Sequence, residues 1–319
     1  MIGRRGKLLI ALYVVFLVIL FLMCSTDLII REPEKEIYQI AVIIEDAKSD
    51  NYVNFRKGMD QAAMEFNADV RFITLYEKRD AQQQAELMER ERQDGADALI
   101  VVPADEEQAA GIQPVIPVIF LRSGQGEGTG AGSIITDYRK MGERIAHEIL
   151  QDTPADSPVL AIRDTGRQST MDRLFLEGAE AECRAAGRCW QIGTGKESIR
   201  AFLETLETPE GAKTVILAAT PDILAQAAGI LADSPSIAAR VQGLYGRGST
   251  LPILNYLDRG LITGICVTDE YGIGYLSVQM AVRALEGAVS QLPEVMDSYY
   301  ITKKKLREPV YEKLLYPIE

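Results

Sequence analysis

From residue 37 onward, short apolar runs bounded by turn signals alternate with amphipathic stretches along almost the whole chain, and this alternation limits the fold more than any other feature. IYQIAVII (37–44), VRFITLY (70–76), ALIVV (98–102) and PVIFL (117–121) read as buried strands. Between them, Phe55, Met59, Ala62 and Phe66 fall at helical spacing over 52–66, and Asp80 with Gln83 forms a capping box opening a helix to about Arg92. The pattern then starts again. SIIT (133–136), PVLAI (158–162), TVILAA (214–219), VQGLY (241–245) and LITGICV (261–267) read as strands, with helices to about Gln151, over 170–186 and over 272–286. Parallel neighbours need a crossover that passes over the sheet, so repeated β–α units imply parallel sheets covered by helices. Two successive sets imply an α/β chain of two Rossmann-like lobes. Ligands of open α/β sheets lie beyond the carboxyl ends of the strands, so facing lobes would enclose a cleft.

The N-terminus reads differently. LLIALYVVFLVILFLMC (8–24) is an uncharged apolar run, about 26 Å long as a helix and close to the thickness of a bilayer core. Arg4, Arg5 and Lys7 precede it, which predicts a cytoplasmic N-terminus and a body outside. An uncleaved transmembrane anchor, a cleaved signal and a lipid-bearing Cys24 all remain open, although Met23 stands where a lipoprotein signal wants a small residue. The expected order is a basic flank (1–7), a membrane segment (8–26), a charged tether (27–37) and the body.

Chemistry is sparse. The net charge of −12 disfavours nucleic acid, whose phosphates need clustered Lys and Arg. The single histidine, His147, lies mid-helix in GERIAHEIL, and no serine elbow of the G-x-S-x-G kind is present, so no catalytic residue is expected. Neither a metal site nor a cofactor is expected, since zinc-type cysteine spacing is also missing. Cys183 and Cys189 fit either a local disulfide or two separate thiols, and Cys266 reads as a buried thiol. GQGEGTGAG (124–132) follows a strand, but another strand-like run comes next, so it reads as a lobe-connecting loop rather than a phosphate loop.

IAVIIEDAKSDNYVNFRKGMDQAA, DGADALIVVPAD, IPVIFL and VTDEYGIGYLSVQMAVRALEG occur in an order and spacing that resemble the type 1 periplasmic binding proteins. This is the ribose- and galactose-binding family, which shares its fold with the sensor domain of LacI-type repressors. The resemblance covers about 38–303. It implies lobe one over 38–137 plus 270–297, lobe two over 138–269 plus 298–319, and a three-segment hinge between them. The repressors' helix-turn-helix has no counterpart here.

Matched to the family's ligand-contacting positions, the chain offers Asp50, Asn51 and Tyr52 in the first strand-to-helix loop, with Tyr52 suited to stacking. Arg122 and Ser123 stand where sugar binders carry Asp then Arg. Arg173, Thr220, Tyr245 and Thr268 fall at or near the second-lobe positions. Several family carboxylates and amides are replaced by Thr, Tyr and Phe. The resemblance therefore implies a solute-binding protein and no enzyme, with a sugar or sugar derivative as ligand, less polyhydroxylated than a free sugar or bearing an anion met by Arg122. A sensor signalling to a histidine kinase, a lipid-anchored capture component for an ABC permease, and a ligand-free protein-interaction module are the competing roles.

Overall fold

The computed structural model describes residues 4–25, 37–44, 52–75, 80–110, 114–124, 130–164, 169–194, 199–204, 213–288 and 292–317. Met1–Ile37 and Tyr38–Glu319 are separate compact units.

The first unit holds one helix, α1 (Arg4–Ser25). It is long and apolar enough to cross a bilayer, and its large apolar side chains from Leu8 to Leu22 are exposed. A helix apolar on every side satisfies its own backbone but needs lipid or protein around it.

The second unit begins with β1 (Tyr38–Ile44), α2 (Val53–Phe66), β2 (Ala68–Thr74), α3 (Ala81–Gln93), β3 (Ala98–Val101), α4 (Glu106–Ala110), β4 (Val118–Arg122) and β5 (Gly132–Thr136). It continues through α5 (Tyr138–Asp152), β6 (Val159–Arg163), α6 (Thr170–Ala185), β7 (Trp190–Thr194), α7 (Ile199–Glu204), β8 (Thr214–Ala218), α8 (Pro221–Asp233), α9 (Pro235–Ala238) and β9 (Val241–Arg247). It ends with α10 (Leu251–Asp258), β10 (Gly264–Thr268), α11 (Glu270–Leu285), β11 (Glu294–Met296), β12 (Ser298–Thr302) and α12 (Pro309–Leu315).

These strands form two six-stranded sheets, ordered β11-β5-β4-β3-β1-β2 and β12-β10-β9-β8-β6-β7. The second order repeats the first, element for element. Every pairing is parallel except β10 with β12. The α/β fold with two parallel-sheet lobes is thus the one that the alternating pattern implies. Strands such as β1 and β8 bury both faces, which is why they read as unbroken apolar runs.

The chain passes between the lobes at Asp137, Asp269 and Asp297, because α5 packs on the second sheet and α11 on the first. The stretch from Gly124 to Gly132 does not connect lobes. It joins β4 to β5, which are neighbours in the first sheet, although residues 125–129 lie outside the described ones. Cys183 and Cys189 are separate thiols, one buried and one exposed.

One helix pair in each lobe closes by glycine contact. On α2 and α11, a Cβ at Gly58 would meet the Tyr271 carbonyl and one at Gly274 the Phe55 carbonyl. On α5 and α6, Gly142 faces the Phe175 carbonyl and Gly178 the Arg139 carbonyl in the same reciprocal way. These close approaches set the helix N-termini beside the strand ends, where the cleft lies.

Candidate functional site

The carboxyl ends of β4, β6, β8, β9 and β10 and the first turns of α2, α5, α6, α8 and α11 enclose a cleft of about 550 Å³ between the lobes. All of these helix N-termini except that of α2 are capped by short polar side chains. Asp137, Ser169, Thr220 and Asp269 each accept a hydrogen bond from the backbone N–H three residues on.

Two arginines in the walls are already neutralised. Arg122 donates through Nε to Glu106 Oε2 at 2.9 Å, and the Ser123 N–H donates to Glu106 Oε1 at 2.8 Å. Arg247, from the end of β9, pairs with Asp172 of α6 and donates through Nε to the Ala219 carbonyl at 3.0 Å. Its guanidinium lies over the Tyr138 ring at 5.1 Å and the Phe175 ring at 5.9 Å. Burial works against this charge, but Asp172, Tyr138 and Glu270 together raise the Arg247 pKa. The Arg163 Nε, at the end of β6, is buried with no hydrogen-bond partner among the described residues.

Glu270, the first residue of α11, lines the same cleft half-buried. Its pKa is pushed from 4.5 to about 7, chiefly by burial; Arg247 opposes the shift and Asp269 adds to it. The folded chain therefore holds this proton more tightly than the unfolded chain. Stability from this group is full below the ordinary carboxyl pKa, falls between about pH 4.5 and pH 7, and is flat above. Glu270→Gln should raise stability above pH 7 by about 1–3 kcal/mol and change little near pH 4. Chemical denaturation at both pH values checks this; a variant less stable at pH 8 contradicts it.

Of the residues singled out in the sequence, Tyr52, Arg122, Ser123, Thr220 and Thr268 line the cleft. Asp50 and Asn51 lie outside the described residues. Arg173 does not face the cleft; it is 53% exposed and pairs with Glu177 one turn along at 2.8 Å. Tyr245 is 1% exposed in the core beneath the second sheet. Arg122 does not offer an unpaired charge to an anion, since Glu106 holds it. His147 sits on the outer surface of α5 beside Glu182.

The sequence reading missed Arg163, Asp172, Arg247 and Glu270. All four stand at or just beyond a strand end or in a first helical turn, as in AIRD, TMDR, LYGRG and VTDE. A charge closing or just following an apolar strand is the signal that finds Arg163, Arg247 and Glu270, and an acid in the first turn after a capping Ser is the signal for Asp172.

Outside the cleft walls a further contact links the lobes. Asn54 Nδ2 on α2 donates to the Leu315 carbonyl at 3.2 Å, and Lys57 Nζ donates to the Pro317 carbonyl at 3.5 Å. The Leu315 side chain is anchored in the second-lobe core. Asn54→Ala combined with Lys57→Ala should let the lobes separate further, which small-angle scattering would register as a larger radius of gyration. An unchanged radius rejects this.

The chain matches the family model for the periplasmic binding protein domain over residues 40–288. It belongs to that family, and its fold is that of the type 1 binding proteins. A carbohydrate transporter solute-binding protein from Agrobacterium radiobacter, in complex with D-arabinose, superposes with a TM-score of 0.74 at 17% identity, over 88% of this chain and 99% of its own. A glucose-galactose binding protein from Geobacillus stearothermophilus gives 0.69 at 18% identity, over 86% and 100%. A putative LacI transcriptional regulator from Bacteroides fragilis gives 0.70 at 13% identity, over 85% and 99%. At such identities the likeness is one of fold. Among curated proteins no sequence matches.

Proposed function

We propose that this chain is a solute-binding protein, held at the membrane by α1 with its body outside the cytoplasm, that closes on one small polar ligand of the sugar class and carries out no reaction. The observation that carries this reading is the cleft itself. It is built from the strand ends of both sheets and lined by Tyr52, Tyr138, Thr268 and ion-paired arginines, and its size suits a small ligand. The crossings at Asp137, Asp269 and Asp297 are the proposed hinge, and the ligand favours closure by touching both lobes. Structural relatives described with D-arabinose or as glucose-galactose binders support the choice of sugars.

The downstream role we favour is sensing, with a closed form read by a membrane partner such as a histidine kinase. The unbroken apolar helix through Ser25 supports a permanent anchor. Capture for an ABC permease is the second reading, favoured by the transporter relatives. Mass spectrometry of the N-terminal region separates them: an intact Met1–Met23 fits sensing, and a diacylglyceryl group on Cys24 fits capture.

Solute binding is tested by thermal shift of the full chain in detergent micelles against pentoses, hexoses, sugar acids, amino sugars, sugar phosphates and polyols. A ligand at about 100 times its Kd adds about 2.7 kcal/mol, which raises Tm by several degrees. A flat response across the panel sinks solute binding and favours a protein-interaction module of the same fold.

A further inference from the structure

We propose that the cleft selects a ligand bearing a protonated amine, an amino sugar or an aminated polyol, and that Glu270 receives the ammonium group. This rests on the solute-binding reading and names the class of solute.

Among the described residues, the charges lining the cleft are Arg122, Arg163 and Arg247 against Asp164, Asp172, Asp222 and Glu270. A ligand carboxylate would meet two arginines whose charge is already matched, one by Glu106 and one by Asp172. To reach either guanidinium fully, it would have to displace a carboxylate and leave that acid uncompensated in a partly buried site. An anionic group is therefore disfavoured at Arg122 and Arg247, contrary to the role first expected of Arg122. Arg163, which no salt bridge among the described residues holds, is one cation set against three further lining carboxylates, Asp164, Asp222 and Glu270.

Glu270 is placed differently. The backbone N–H groups that open α11 are served by Asp269, whose carboxylate accepts from the Gly272 N–H at 2.8 Å. That leaves the Glu270 oxygens uncommitted. Among the described residues no hydrogen-bond donor or ion-pair partner reaches them. The groups that interact with Glu270 are Arg247 from β9 and Tyr138 from α5, with Asp269 beside it on its own turn, and Asp172 from α6 acts on the same Arg247 and Tyr138. Arg247 is the one cation of this group, and Asp172, the Ala219 carbonyl and two aromatic rings hold it.

A half-buried carboxyl in that position is satisfied by a proton or by a cation. Without a ligand the proton serves, consistent with a pKa near neutrality. A ligand ammonium replaces it, the proton leaves to solvent, and charge-assisted hydrogen bonds form in a desolvated site. A hydroxyl in the same place supplies no charge. Further along the same sheet edge, Arg163 lines the cleft at the end of β6, where its guanidinium can donate to a ring or hydroxyl oxygen. β6 and β10 are three strand spacings apart. That distance is about 14 Å, which two side chains and one sugar-sized molecule fill.

The test is calorimetric titration of the full chain in detergent micelles with D-glucose, D-galactose, their 2-amino and 6-amino derivatives, and D-glucuronate, between about pH 6 and pH 8. At least one amino derivative should bind about tenfold tighter than its parent sugar, and D-glucuronate should be the weakest. At about pH 6, where Glu270 carries its proton and the amine is already charged, buffers of different ionisation enthalpy should report net proton release with the amine. Glu270→Gln should cancel the amine preference while changing affinity for the parent sugar less. The proposal is overturned if the parent sugars bind as tightly as their amines, if D-glucuronate binds best, or if the preference survives in Glu270→Gln. In those cases sugar binding itself stands. Silence from every probe on folded protein overturns the proposal and counts against solute binding as well.

Discussion

Asp172→Ala should destabilise the folded chain by about 3–5 kcal/mol, the cost typical of leaving one partner of a buried ion pair without its counter-charge. Arg247 and Asp172 are only 13% and 8% exposed, so solvent offers the stranded guanidinium little relief. The Ala219 carbonyl and the faces of Tyr138 and Phe175 remain, but none carries a formal negative charge. Glu270, which also acts on Arg247, is protonated for a large part near neutral pH and makes no ion pair with it. The effect should be larger than that of Arg173→Ala one residue away, whose exposed pair with Glu177 is worth at most about 1 kcal/mol. Replacing both partners, Asp172→Ala with Arg247→Met, should recover much of the loss, because removing a whole pair avoids the orphaned charge. Urea denaturation of the three variants decides the matter. A cost below about 1 kcal/mol for Asp172→Ala would mean that water reaches the pair and that the cleft floor is looser than described.

The same two neighbours explain what the sequence reading could and could not reach. Asp172 and Arg173 differ by about 100° around α6, so one turns into the cleft and the other to solvent. Matching positions to a family pattern selected Arg173, and helical geometry selects its neighbour. On β9, Tyr245 and Arg247 lie on one face, since strand side chains alternate. The first is within the sheet and sealed by the core, whereas the second is at its end and opens on the cleft. Tyr52, Arg122, Ser123, Thr220 and Thr268 were legible as cleft positions, whereas Arg173 and Tyr245 fell one or two residues from the side chains that line it, because depth along an element is set by tertiary packing.

The lobes were easier to read. Both-face burial leaves an apolar run that stands out, as in β1 and β8. The capping box at Asp80 also holds, its carboxylate accepting from the Gln83 N–H at 3.0 Å. α8 escaped notice because PDILAQAAGILAD is apolar or small nearly throughout, so no polar face marks its period. β11 is three residues long and pairs with β5, more than 150 positions away by chain numbering, so no local signal reports it. SIIT shows the same limit. The alternating pattern alone starts a second set with it, but its partner in the structure is β4 of the first sheet.

Gly178→Val should be at least as damaging as loss of the ion pair, and through packing alone. A Cβ at Gly178 would overlap the Arg139 carbonyl oxygen, and the contact is to backbone, which cannot rotate away as a side chain can. α5 and α6 would have to separate. The loss would fall on Met141, Ile145, Phe175, Leu176 and Ala179, which are buried between and beneath these helices. Overpacking of a tight core costs about 1–3 kcal/mol, and a branched side chain set against backbone belongs at or beyond the upper end, near 4 kcal/mol. Gly142→Val should behave alike, since its Cβ would strike the Phe175 carbonyl from the other helix. Gly229→Ala is the control. It too sits within a helix, but the nearest atom to a new Cβ is the Tyr256 hydroxyl at 3.3 Å, the end of a side chain that can shift. There the gain in helix propensity should leave stability unchanged or raise it by about 0.5–1 kcal/mol. Because Tyr138 and Asp172 stand on the opening turns of α5 and α6, separating those helices also dismantles the cradle of Arg247. Ligand affinity should then fall with stability in Gly178→Val and stay intact in Gly229→Ala. If thermal denaturation instead ranked the two variants together, close helix contact would not be what holds this wall of the cleft in place.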